Sequence, residues 1–123
     1  AEALHQQGKH LLVHIGGPIR HLLAPLAETG VDGLEGIAGP PQSDIGLAEA
    51  RNLVGSECML WGGIPQDYLM EASDRGDFEN AVAKAARIAG GDPRMIVGVA
   101  DRVPVDADLD RLLAVWALMG TLG

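Results

Sequence analysis

The chain has 123 residues, of which 47% are hydrophobic, so it is long enough for one compact domain over residues 1–123. A net charge of −8 argues against nucleic acid as a partner, because that function needs a basic surface, and the single cysteine excludes a disulfide framework. The apolar runs are too short to cross a bilayer and no basic, apolar leader opens the chain. We therefore expect a cytoplasmic protein without membrane contact.

The first predicted unit is a strand followed by a helix. Residues 10–15 form a short apolar run, and this run is followed by Gly16, Gly17 and a proline. This is the pattern of a buried strand that ends in a loop. Apolar residues then recur at helical spacing from Ile19, and Pro25 is expected to shorten or kink this helix. A glycine at position 30 suits the left-handed conformation that commonly ends a helix.

The same pattern repeats in the middle of the chain. Residues 31–37 predict a second strand, weakened by two glycines, and Leu47–Val54 a short helix. Residues 58–61 predict a third strand that stops at Gly62 and Gly63.

The last two units complete the alternation. Asp77 is a good N-cap for a third major helix, and residues 94–100 predict the fourth strand. The final helix has an apolar stripe, formed by Leu109, Leu112, Leu113 and Trp116, and Trp116 is expected to lie in the core or in an interface.

Strands that alternate with helices in this way predict βαβ units, an α/β fold and a parallel sheet. The pattern alone fits both a small doubly wound sheet and part of a closed barrel.

Five stretches favour the barrel. They are VHIGG (13–17), ETGVD (28–32), GLAEARNLVG (46–55), LWGGIP (60–65) and VGVADRVP (97–104). From about residue 9 onward, the ordered set resembles the C-terminal half of the uroporphyrinogen decarboxylase superfamily, which includes corrinoid-linked methyltransferases.

This resemblance implies four βα units, half of a TIM (β/α)8 barrel. It also implies a uroporphyrinogen decarboxylase-like (carboxy-lyase) domain of porphyrin metabolism. The family segment with the decarboxylase's essential aspartate and arginines is not matched, so we expect no complete catalysis by this chain alone, and whether it is an enzyme stays open. The alternatives are a corrinoid-linked methyltransferase-like domain and a non-catalytic ligand-binding or assembly module.

Four residues fall where barrel chemistry occurs, at the C-terminal ends of strands: His14, Glu35, Trp61 and Asp101. We take His14, Glu35 and Asp101 as candidate catalytic residues. The methyltransferases bind zinc through His-x-Cys and a later Cys, but these cysteine positions hold Gly16 and Asp101 here. We therefore predict no cofactor. The alternative is a zinc ion bound by His14 and Asp101, with Glu35 as a third ligand. The other interpretation of His14 is a buried, hydrogen-bonded histidine.

A small anionic or tetrapyrrole ligand is the predicted partner. It is expected to bind at the mouth of the barrel, which is the end formed by the C-terminal ends of the strands. Arg102 is suited to binding carboxylates, and the glycines at 16, 17, 62 and 63 allow close approach of backbone to ligand, although plain turn formation also explains them. Half a barrel leaves two sheet edges and one face uncovered. We expect a homodimer or higher oligomer that closes the barrel, or a separate chain that supplies the other half.

Overall fold

The computed structural model describes residues 1–122 and confirms the α/β class, with four parallel strands in one sheet alternating with helices. The elements are α1 (Glu2–His5), β1 (Leu12–His14), α2 (Arg20–Glu28), β2 (Gly33–Ile37), α3 (Leu47–Val54), β3 (Met59–Ile64), a 3-10 turn (Gln66–Leu69), α4 (Arg75–Ala89), β4 (Met95–Val99) and α5 (Leu109–Leu122). No helix in this described part is long and apolar enough to span a membrane.

The strand order decides between the two parallel architectures. The strands lie in chain order, β1-β2-β3-β4, and every neighbouring pair is parallel. A doubly wound sheet would reverse its strand order part-way, whereas right-handed crossovers in unbroken order place all the helices on one face. The architecture is therefore compatible with half of a (β/α)8 barrel, and the face of the sheet away from the helices is open.

The helices cover two separate apolar cores. The first lies under α2 and α3 and includes the fully buried Leu23, Leu34 and Leu60. The second lies under α4 and α5 and includes Ile64 and Phe78. Between α3 and α4 is a cavity of about 490 Å³, lined mainly by small and apolar residues on the helix side of the sheet.

A distant carboxylate caps helix α2. Asp44, in the loop after β2, accepts hydrogen bonds from the backbone N–H groups of Ile19 and Arg20 at 2.8 and 3.1 Å. The Arg20 guanidinium in turn pairs with Glu49 on α3. These contacts satisfy donors that every helix start leaves free, and they join α2 to α3.

Two sequence predictions about element ends are wrong. Helix α4 begins at Arg75, and Asp74 is its N-cap, accepting a hydrogen bond from the backbone N–H of Asp77 at 3.0 Å; Asp77 therefore lies in the first turn. Strand β3 does not stop at Gly62 and Gly63 but continues to Ile64. A Cβ at Gly62 would lie 2.4 Å from the Ile37 carbonyl oxygen, so glycine is required where β2 and β3 approach closely.

The stripe on α5 is also not in the core. Only Leu112 of its four residues packs against the second core, whereas Leu113 and Trp116 are 71% and 85% exposed and Leu109 is also exposed. Helix α5 packs on α4 and on the 3-10 turn, while Leu113 and Trp116 stay exposed. Cys58 is buried, and burial raises the pKa of its thiol.

Candidate functional site at the open face of the sheet

One row of side chains crosses the open face near the C-terminal ends of the strands. In the sheet register, His14 pairs with Glu35, Glu35 with Trp61, and Trp61 with Ile96. The preceding residues Leu34 and Leu60 are buried against the helices. Because successive side chains of a strand point to opposite faces, the row lies on the side that would become the interior of a barrel.

The structure brings the three candidate catalytic residues together. His14 Nδ1 is hydrogen-bonded to the Glu35 carboxylate. The Asp101 backbone N–H donates to Glu35 Oε1 at 3.2 Å, and Asp101 Oδ1 lies 3.5 Å from His14 Nε2. Three segments that are far apart in sequence therefore meet at one imidazole, and Glu35 is the residue that joins the other two.

The exposure of His14 distinguishes its two interpretations. Its side chain is 53% exposed, so the interpretation as a buried histidine is wrong. Glu35 is more enclosed and has both carboxylate oxygens engaged. The ring is thus held from one side and open to solvent on the other, which is the arrangement that a ligand-contacting group needs.

Asp101 has an unusual backbone. Its φ is +70°, a left-handed conformation that residues other than glycine seldom adopt, and it lies just after β4. Such conformations persist where the surrounding structure enforces them. Here the conformation accompanies an N–H that points at Glu35 and a carboxylate that lies beside His14.

Arg102 follows at once and is exposed. Five other arginines form ion pairs with carboxylates: Arg20, Arg51, Arg75, Arg94 and Arg111. No ion pair of Arg102 is found among residues 1–122, so its guanidinium is free to bind a ligand carboxylate.

The predicted glycines fall into two groups. Gly16 and Gly17 follow β1 in the loop after His14, and added Cβ atoms would meet nothing within 4 Å, so this loop is open to a ligand. Added Cβ atoms at Gly62 and Gly63 would instead strike the Ile37 backbone and the Leu47 side chain. Packing accounts for this second pair, and its ligand-binding role stays a prediction.

The donors present do not fit the zinc site that the family resemblance implies. Over residues 1–122 there is no group of three or more His, Cys, Asp or Glu side chains arranged to hold a metal ion. Gly16 stands at a cysteine position, and Cys58 is buried before the start of β3, at the other end of the strands.

Sequence reasoning missed Gln42 and Gly98. Gln42 Oε1 accepts from the Gln66 backbone N–H at 2.7 Å, and its Nε2 donates to the Ala100 carbonyl at 3.5 Å, so one amide connects the segments that follow β2, β3 and β4. Gly98 gives Trp61 room: an added Cβ would lie 2.8 Å from the indole Nε1. Neither residue carries a local signal, because each role depends on a neighbouring strand.

Comparison with known proteins supports the fold. No protein-family model matches the chain, and no curated protein matches its sequence. Among solved structures, the chain is similar to a methyltransferase from Methanosarcina mazei, with a TM-score of 0.66 and 19% sequence identity. The match covers 98% of this chain and 33% of that one, so the chain spans about a third of the length of its structural neighbour. At this identity the likeness concerns the fold alone.

Proposed function

We propose that the chain is one half of a (β/α)8 barrel whose mouth binds a small anionic ligand and transfers a proton to it, in the manner of a uroporphyrinogen decarboxylase-like domain. The observation that carries the proposal is the half-exposed His14 imidazole, held by Glu35 beside Asp101 at the C-terminal ends of the strands. Barrel enzymes place their chemistry at this end.

Each residue of the cluster has a proposed role. Glu35 accepts the Nδ1–H of His14 and so fixes the orientation of the ring. The separation of 3.5 Å between Nε2 and Asp101 is longer than an ordinary hydrogen bond of about 2.7–3.2 Å, so Nε2 stays open to a ligand atom. Loss of carbon dioxide leaves an electron pair on a substrate carbon. A His14 imidazolium, protonated on both ring nitrogens, would donate its Nε2 proton to that carbon and become the neutral ring that keeps its Nδ1–H on Glu35.

Arg102 would supply the binding charge. A planar guanidinium matches a carboxylate with two parallel hydrogen bonds, and within residues 1–122 no carboxylate pairs with Arg102 in competition. The open side of the sheet leaves such a ligand in contact with water, and we therefore expect weak binding and no turnover until further strands cover that side.

A corrinoid-linked methyltransferase-like role is the second candidate. It is favoured by the similarity to a solved methyltransferase structure. The residues at the family's cysteine positions speak against zinc-activated thiol transfer, so elemental analysis of the purified protein is the direct check. A stoichiometric amount of zinc would favour this second role.

The two roles can be separated by thermal unfolding with coproporphyrin and with a corrinoid as probes. We expect coproporphyrin to raise the melting temperature of the wild-type chain. Arg102→Gln should abolish the shift, while Arg87→Gln, an exposed arginine on α4, should keep it as the matched control. A shift with the corrinoid alone would favour the second role. No shift with either probe would overturn both and leave the non-catalytic module.

A further inference from the structure

Apolar side chains are exposed on the surfaces that closing a barrel would bury. Leu12, Trp61 and Ile96 lie exposed on the open face, Leu22 is exposed on α2, and Leu113 and Trp116 on α5. The chain exposes 7040 Å², whereas a compact monomer of 12.8 kDa exposes about 6300 Å². The excess of about 700 Å² is close to the roughly 800 Å² that each partner buries in an ordinary protein interface.

Both edges of the sheet are also unprotected. β1 and β4 each have one neighbouring strand, so each leaves one row of backbone groups unpaired. Soluble proteins usually guard such edges with charges, prolines or bulges. Leu12–His14 and Met95–Val99 contain no lysine, carboxylate or proline, so the net charge of −8 does not fall on the edge strands themselves.

We propose that a second copy of this chain covers these surfaces and closes an eight-stranded barrel. A two-fold axis along the barrel would place β4 of each copy parallel to β1 of the other, and four strands from each copy make the eight that the barrel needs. The outer side of α5, with Leu113 and Trp116, would then pack against α2 of the other copy, where Leu22 is exposed.

The second copy is favoured because the two ends of the chain complement each other. A parallel apolar edge at β4 meets a parallel edge at β1, and an apolar helix flank at α5 meets an apolar residue on α2. Closure also completes the proposed site on which this inference builds: the mouth would contain two His14–Glu35–Asp101 clusters facing each other, shielded from bulk water.

The test is the mass of the full chain in solution, measured by light scattering and sedimentation over a micromolar concentration range. We expect twice 12.8 kDa. The double variant Leu113→Lys, Trp116→Lys should become monomeric, with a dissociation constant raised by about a hundredfold or more. Leu53→Lys is the matched control, because Leu53 is an exposed leucine on α3, away from both flanks, and should stay dimeric. Far-UV circular dichroism checks that each variant folds.

Three results with this chain alone would overturn the proposal. They are a wild-type chain that stays at 12.8 kDa, a mass that grows without limit with concentration, and equal behaviour of the α5 double variant and the Leu53 control. A monomer that pairs only with a different four-strand half would overturn it as well and would identify that half as the occupant. None of these measurements uses a ligand, so the failure of this inference and the failure of the proposed function are distinguishable.

Discussion

Two clusters of histidine and carboxylate lie at opposite ends of the first two strands, and they are built differently. Before β2, the Asp32 carboxylate accepts hydrogen bonds from the Leu11 backbone N–H at 2.6 Å, His5 Nε2 at 2.8 Å and His10 Nδ1 at 3.1 Å. At the other end, His14 is hydrogen-bonded to Glu35 through Nδ1, and its Nε2 lies 3.5 Å from Asp101 Oδ1.

The difference lies in which atoms are left without partners. The hydrogen bond from Leu11, followed by those from His5 and His10, holds the pKa of Asp32 well below its usual range, and the carboxylate is saturated with donors. This cluster fastens α1 and the start of β1 to β2. In the cluster at the mouth, the half-exposed His14 is hydrogen-bonded at Nδ1, and its Nε2 has only the more distant Asp101 carboxylate beside it. The same residue types thus serve structure at one end and, in the proposed function, binding at the other.

The largest effect on stability is expected from a substitution in the backbone beside the mouth cluster, which consists of His14, Glu35 and Asp101. Gly36 follows Glu35 with φ +105°, and an added Cβ would lie 1.9 Å from the Ile15 carbonyl oxygen. We expect Gly36→Ala to lower the free energy of unfolding by about 3 kcal/mol, measured by urea denaturation. Gly91→Ala is the control, because its Cβ meets nothing within 4 Å and its stability should be unchanged or slightly raised. Equal stabilities of the two variants would contradict the close approach of Gly36 to Ile15.

The next largest effect on stability is expected from removing the charge of Asp32, which accepts hydrogen bonds from Leu11, His5 and His10. Asp32→Asn removes the charge and leaves one acceptor oxygen for three donors, so we expect the melting temperature to fall by several degrees. Asp106→Asn, at an exposed loop position, should leave it unchanged. Loss of hydrogen-exchange protection at the α1 amides should accompany the Asp32 change; intact protection would show that Asp32 does not hold this helix.

A smaller effect is expected from acid. The folded-state pKa of Asp32 lies below the unfolded value of about 3.9, so its contribution to stability is present above that value and is lost as pH falls through the folded pKa. Urea denaturation between about pH 5 and about pH 2 should show a steeper loss for the wild type than for Asp32→Asn. Part of the slope should remain, because the hydrogen bond from Arg20 also lowers the pKa of Glu49.

The smallest effect on stability is expected at the mouth. His14→Gln removes a half-exposed ring, and we expect the free energy of unfolding to change by less than about 0.5 kcal/mol. The same variant should lose the coproporphyrin shift. A large loss of stability would mean that the two clusters are both structural, and the contrast between them would disappear.

The local sequence predicted the strands and the C-terminal strand ends at which the candidate site residues lie. Apolar runs mark β1 and β4, and the run of β1 is closed by glycines and a proline. Because parallel strands end at one edge, His14, Glu35 and Asp101 could be expected to lie near one another. Their actual contacts, with Glu35 between the other two, depend on the register of the sheet.

Contacts between residues that are far apart in the chain could not be predicted from the local sequence. Nothing near Asp44 indicates that it caps a helix that begins 24 residues earlier, and nothing near Asp32 indicates its two histidines. The stripe on α5 specifies which side of the helix is apolar, but it does not specify whether a neighbour is present to bury that side. A helical pattern is the same for a core and for an interface.

The separation of the two cores has a consequence for how the molecule opens. Leu60 of β3 belongs to the first core and Ile64 to the second, and β4 likewise places Met95 against the first core and Val97 against the second. Regions with separate apolar contacts can unfold locally without exposing each other's interior. Local opening is therefore expected to follow the two cores and not the four βα units, because β3 and β4 each contribute to both cores.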